Sequence, residues 1–154
     1  MTPTITEGGL DDERVQALLA RHLANARAAT AEGFAFALDL SGLRVPAIRF
    51  FSAWDGEALL GVGALKRLAA HHGEVKSMHT AEGARPPGVG GAMLRHIIGE
   101  ARTEGMARLS LETGTSVYFE PAVALYLAQG FTDCGPFGDY APSGENRFLT
   151  LRIA

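Results

Sequence analysis

Three glycines in four residues, Gly88-Val89-Gly90-Gly91, stand directly ahead of a segment whose apolar residues recur at helical spacing. No other feature restricts the fold as much. Glycine has no Cβ, so a backbone built of it can turn tightly and come close to a ligand. Met93, Leu94, Ile97, Ile98 and Ala101 then share one face of a helix, and Gly105 stands where such a helix stops. The unbonded N–H groups and positive dipole end of a helix start favour an anion, and Arg85 adds a full charge beside them. The stretch from Arg85 to Ala92 therefore reads as a phosphate seat. It is not a Walker A loop, which ends in Gly-Lys-Ser/Thr. Nor is it the dinucleotide fingerprint, because Met93 stands where the last glycine is required.

Around this loop the chain alternates between periods. A short strand is expected at Thr2 to Thr6, followed by a helix opened by Asp11 and Asp12 with Val15, Leu18, Leu19, His22, Leu23 and Ala26 on its apolar stripe. His22 reads as a packed core histidine. Residues 33–46 carry no firm assignment. Ala47 to Trp54 and Ala58 to Leu65 form a hairpin across Asp55-Gly56. The next strand, Gly73 to Thr80, is expected to place Glu74, Lys76, Met78 and Thr80 on one face, with Val75, Ser77 and His79 on the other. Beyond the loop and its helix come a strand at Ala107 to Thr113, a helix from Pro121 to a stop at Gly130, a strand at Phe131 to Phe137 and a last strand at Phe148 to Ile153. This order predicts a single mixed α/β domain over residues 1–154. The unit around the glycine loop is a crossover that makes two strands parallel, with ligands beyond their carboxyl ends.

Composition narrows the function. A net charge of −3 supplies no basic excess for nucleic acid or acidic membranes. One cysteine, Cys134, cannot pair within the chain, and no basic leader or long apolar run precedes the first helix. These features predict a cytoplasmic protein, with Cys134 an ordinary thiol.

The pattern Arg-x-x-Gly-x-Gly, from Arg85 through Gly88 to Gly90, resembles the coenzyme A pyrophosphate loop of the GNAT superfamily of N-acetyltransferases. A second motif follows at the right distance. Ala122, Leu125, Tyr126, Gly130 and Phe131 match the superfamily pattern Ala-x-x-Leu-Tyr-x-x-x-Gly-Phe. The resemblance implies a central, mostly antiparallel sheet with one parallel pair splayed around the cofactor and helices on its faces. It implies acetyl-CoA as cosubstrate, no metal, and a small-molecule, amino-acid or peptide amine as acceptor; it also allows a homodimer. It places Met78, His79 and Thr80 along the pantetheine arm and thioester by their backbone groups, and the pyrophosphate at Arg85, Gly88, Val89, Gly90, Gly91 and Ala92. Pro86 and Pro87 lack N–H groups, and Phe119 stands where an asparagine often contacts the cofactor.

Acetyl transfer to an amine needs a neutral nitrogen, a polarised carbonyl and stabilisation of the departing thiolate. By resemblance Tyr126, which also lines the cofactor, serves as the acid or steadies the sulfur. Glu74, eleven positions before Arg85, is the first candidate base, and an ion-paired glutamate beside Lys76 is the alternative for it. Glu112 competes for the role, and His79 comes third. Trp54, Asp139 and Tyr140 read as surface packing. Direct transfer in a ternary complex is expected; a domain that binds acyl-CoA without turnover, or one using another acyl group or acceptor, is the alternative.

Overall fold

The computed structural model describes residues 3–29, 40–81 and 88–154. Seven strands form one sheet in the order β1-β2-β3-β4-β5-β7-β6. In chain order the elements are β1 (Thr4–Glu7), α1 (Glu13–Ala29), α2 (Leu40–Leu43), β2 (Ile48–Asp55), β3 (Ala58–Ala69), β4 (His72–Thr80), α3 (Val89–Thr103), β5 (Arg108–Gly114), α4 (Glu120–Ala128), β6 (Thr132–Asp133) and β7 (Asn146–Arg152). A single 3-10 turn, Val117–Phe119, leads into α4. β4 and β5 are parallel, and every other neighbouring pair is antiparallel. The expected mixed sheet with one parallel pair is therefore present.

Local chemistry accounts for the ends of these elements. Asp12 caps α1 by accepting the Arg14 backbone N–H at 2.8 Å. Gly105 and Gly130, both with positive φ, follow α3 and α4. Proline at the start of α4 fits because the N–H it lacks has no helical partner there.

The sheet is apolar on both sides. On one side α3 and α4 bury Leu94, Ile97, Tyr126 and Phe131 against Phe51, Val75 and Leu109; on the other, α1 lays Val15, Leu18 and Leu19 on Phe50, Val62 and Ala64. Full burial of one such side chain is worth about 1.5–3 kcal/mol. Gly63 lets α3 lie close: a Cβ there would stand 2.8 Å from Met93 and 2.9 Å from Ile97.

Three expectations are corrected. The first strand runs Thr4–Glu7 and leaves out Pro3, while Thr2 lies outside the described residues. The strand from Phe131 to Phe137 shrinks to Thr132–Asp133, because Pro136 cannot donate to a ladder and Phe137 turns onto Phe148, with ring centroids 5.8 Å apart. The simple alternation of β4 fails: Ala64 pairs with Lys76 but Val62 with His79, so β4 carries one extra residue, and Ser77 sits in it at φ 56°. The bulge turns Met78 onto the α3 side with Val75 and leaves His79 on the α1 side with Glu74 and Lys76. Within the unassigned stretch 33–46, the described part contains α2, whose Leu43 is buried under α1.

Candidate active site

The parallel pairing of β4 with β5 is short. It joins His72 to Arg108, Gly73 to Leu109 and Glu74 to Ser110, and goes no further. Beyond that point the strands part, and β4 bulges at Ser77 instead of following its neighbour. The opened space is where the candidate residues collect.

A cavity of about 260 Å³ lies at the opening. Met78, His79 and Thr80 from β4 form one wall, Gly90 from the first turn of α3 another, and Tyr118, Ala122, Leu125 and Tyr126 from α4 and its preceding turn a third; Asn25 of α1 completes it. Five residues singled out in the sequence therefore line one cavity: Met78, His79, Thr80, Gly90 and Tyr126. Asn25 and Tyr118 carry no local motif and were invisible in sequence.

Gly88 caps α3 in the left-handed conformation, at φ 91°. The Ala92 N–H donates to the Gly88 carbonyl at 2.9 Å, so Ala92 is not among the free donors expected there. The N–H groups from Gly88 to Gly91 precede the first helical bond, and no backbone partner for them stands among the described residues. Val89 itself is buried in the core, its side chain near Gly61. A Cβ on Gly90 would stand 3.0 Å from Leu125 and 4.0 Å from Thr80, so glycine lets the three elements converge. Arg85 lies outside the described residues, as do Pro86 and Pro87.

Tyr126 is buried, with its ring 5.8 Å from that of Phe131. Burial pushes its phenol well above the usual tyrosine range, so the hydroxyl keeps its proton and acts as a donor.

On the α1 side, at the parting of the strands, lies a cluster of charge. Glu74 is 2% exposed. Its Oε2 accepts from Lys76 Nζ at 3.0 Å and from the Tyr140 hydroxyl at 2.5 Å, and Lys76 Nζ also donates to the Tyr140 oxygen at 2.7 Å. Three side chains thus close a ring of hydrogen bonds. Tyr140 is no surface tyrosine: it packs on Phe137 and Phe148, and burial with the neighbouring Glu74 carboxylate raises its phenol far above the ordinary value. Sixty-six residues separate it from Glu74, and no spacing rule could have joined them. Asp139 is exposed, as expected, and Trp54 packs under the Arg14 guanidinium, 4.6 Å away, while donating to Ser52.

Glu112 follows Ser110 on the same face of β5. It is half-buried and has no hydrogen-bond partner among the described residues. Burial raises its carboxyl to about 7, with Lys76 pulling it down and Glu74 pushing it up. The Glu74 alternative, an ion-paired glutamate beside Lys76, is what the structure contains.

His79 stacks on His22 of α1 with ring centroids 4.7 Å apart. Burial lowers both imidazoles, His22 to about 4, helped by its neighbour. His22 Nδ1 and His79 Nε2 are enclosed and unpartnered among the described residues. Both rings are therefore neutral at physiological pH. Cys134 is partly buried, and its thiol is raised by that burial, which removes the thiolate a nucleophile needs.

A sheet parted beside a glycine-capped helix, with a buried tyrosine across the gap, is the arrangement that the sequence resemblance implied. The chain belongs to the acetyltransferase (GNAT) family, whose profile matches residues 17–131. It is 44% identical over 150 residues to the uncharacterized N-acetyltransferase YedL of Escherichia coli (strain K12), covering 97% of this chain and 94% of that one. A solved structure assigned as an acyl-CoA N-acyltransferase from Klebsiella pneumoniae superposes with a TM-score of 0.82 at 25% identity, over 99% of this chain and 98% of that one. A Bacillus subtilis acetyltransferase solved in complex with CoA shares the fold, with a TM-score of 0.72 at 18% identity over 97% and 98% of the two chains.

Proposed function

We propose that this acetyltransferase moves the acetyl group of acetyl-CoA to the primary amine of a small molecule, amino acid or peptide, directly and in a ternary complex. The supporting observation is the cavity between β4, α3 and α4, which brings Met78, His79, Thr80, Gly90 and Tyr126 to one place. The residues suit coenzyme A. Free N–H groups from Gly88 to Gly91, at the positive end of α3, match a pyrophosphate. The bulge at Ser77 frees the β4 backbone around His79 from its parallel neighbour, leaving it to meet a pantetheine arm. The bound cosubstrate supplies an activated acetyl thioester.

The protein's share of the chemistry is then proton management. The amine nitrogen attacks the thioester carbonyl and gives up a proton to a carboxylate on the α1 side of the gap, Glu74 or Glu112. The carbon–sulfur bond breaks, and the sulfur leaves as thiolate. Tyr126 steadies it with a hydrogen bond. Full proton transfer from Tyr126 runs uphill, because its raised phenol is a weaker acid than a thiol of pKa about 8.5. The thiol proton comes from solvent.

Thiol release from acetyl-CoA, measured across a panel of primary amines, tests this reading. Acetyl-CoA-dependent thermal stabilisation with no release for any amine would favour the alternative, a domain that binds acyl-CoA without turnover.

A further inference from the structure

We propose that Glu112 is the carboxylate that takes the amine proton, and that Tyr140 is a positioning residue that holds the Lys76 ammonium on Glu74 and away from Glu112. The first half rests on the acetyl-transfer reading above; the second stands on the side-chain geometry alone.

Glu74 and Glu112 share one face of the sheet, yet their surroundings are opposite. Glu74 lies at the last paired position of the parallel strands, almost wholly enclosed, with a cation and a hydroxyl on the same oxygen. A proton arriving there must displace Lys76 or Tyr140. Glu112 lies on the next position of that face along β5, past the parting, half-buried, and its carboxyl accepts no hydrogen bond among the described residues. Opposite it on β7 stands Phe148, which offers no charge. The charged and titratable groups acting on it are Lys76 and Glu74 of β4 and Tyr140 of the loop before β7.

Lys76 is the group that decides between the two carboxylates. It lies close enough to lower the Glu112 carboxyl, but no ion pair joins them among the described residues. Its Nζ is directed elsewhere by two acceptors, Glu74 Oε2 and the Tyr140 oxygen. Its ammonium also lies 5.4 Å from the centre of the Tyr140 ring. Tyr140 can do this because it donates to Glu74 while accepting from Lys76, which only a neutral hydroxyl can do. Take the hydroxyl away and Lys76 loses an acceptor, and the nearest unpartnered carboxylate is Glu112. A Glu112 paired with Lys76 is a poor base, since an adjacent cation favours its charged form. The ring of hydrogen bonds therefore keeps Glu112 suited to removing a proton near neutral pH, where general bases work best.

The test combines two readouts on the full chain. Side-chain ¹³C-carboxyl NMR on glutamate-labelled protein follows Glu112 through a pH titration, with Glu112→Gln assigning the signal. Steady-state turnover with an accepted amine gives the acid limb of kcat/KM. In the natural protein the Glu112 signal and the acid limb should share a midpoint near neutrality. Tyr140→Phe, which keeps the ring packing, should lower both midpoints by about one pH unit, a tenfold change. Glu74→Gln should lower them further and leave the acid limb of kcat/KM in place. Glu112→Gln should remove the limb and cost at least about a hundredfold in rate. Unmoved midpoints in Tyr140→Phe overturn the positioning role. Loss of the acid limb in Glu74→Gln, with Glu112→Gln near natural activity, overturns the base assignment. If the NMR midpoint moves as stated but no amine releases thiol, acetyl transfer fails and the base assignment with it, while the Tyr140–Lys76 coupling stands.

Discussion

The two faces of the sheet solve the same problem in opposite ways. On the α3 face, level with Val75, one cluster matches its charges in full. Arg49 of β2 bonds Glu7 of β1, Glu100 of α3 and Glu104 just beyond α3 at 2.7–2.8 Å, and Arg67 of β3 adds a second bond to Glu104. Every cation of that network meets carboxylates, and it ties four elements together in partial contact with water. On the α1 face the matching is incomplete. Glu74, Lys76 and Tyr140 satisfy one another, but Glu112, His22 and His79 are left with enclosed or half-enclosed groups that bond nothing described. A buried polar group without a partner costs about 1–3 kcal/mol. A fold tolerates that cost where a substrate supplies the missing partner, which supports the proposed site on the α1 face.

Substitutions on the two faces should separate accordingly. The largest effect is expected at Glu112. Glu112→Gln should cut turnover about a hundredfold or more at neutral pH, and also stabilise the protein in alkali. The folded carboxyl is raised from 4.5 to about 7, so its contribution to stability is complete below pH 4.5 and is lost as pH rises through 7. Above that the natural protein carries a cost that glutamine lacks, on the order of 1–2 kcal/mol after solvent screening. Denaturant unfolding at pH 5 and pH 8.5 checks the sign: the variant should gain only at the higher pH.

Next comes Gly90→Glu, which puts bulk against Leu125 and a negative charge at the head of α3. Acetyl-CoA at about a hundred times its Kd should stabilise the natural protein by about 2.7 kcal/mol, read as a rise in Tm. The folded variant should show no rise. An equal rise in both would move the anion seat away from Gly88 to Gly91.

On the matched face, Arg49→Met should cost about 1 kcal/mol at pH 7 and leave turnover unchanged, because the pairs it breaks are partly exposed. Arg49 holds the carboxyls of Glu7 and Glu104 below 4.5. Their contribution is therefore present above pH 4.5 and fades as pH falls through the folded values. The variant and the natural protein should converge in acid unfolding. A loss of turnover instead would break the contrast between the two faces.

The smallest effect is expected at Ser77. Its left-handed backbone costs about 1 kcal/mol, which Ser77→Gly relieves at some price in chain entropy, for a net gain of about 0.5 kcal/mol in denaturant unfolding. Destabilisation would show that the serine side chain, not the bulge, is what the site requires.

Short-range chemistry made much of this protein legible. The hairpin at Asp55-Gly56, the helix behind Gly88 to Gly91 and the glycines that stop α3 and α4 rest on residues a few positions apart, and the residues alone imposed them. Two motifs in order identified the family, and Met78, His79, Thr80, Gly90 and Tyr126, which line one cavity, were named without coordinates. The face assignment of β4 failed because a bulge depends on pairing with β3, which no periodicity encodes. Tyr140 was taken for surface packing because its loop is polar and its partners are 64 and 66 residues away.

The chain by itself thus determined most of the elements and their order, and it carries the residues of the proposed phosphate seat, since propensity, capping and glycine geometry act within a turn or two of helix or strand. Only the tertiary structure decided which carboxylate is tied and which is free. That distinction depends on where two parallel strands part and on which distant hydroxyl reaches Lys76, and both arise only when the sheet is assembled.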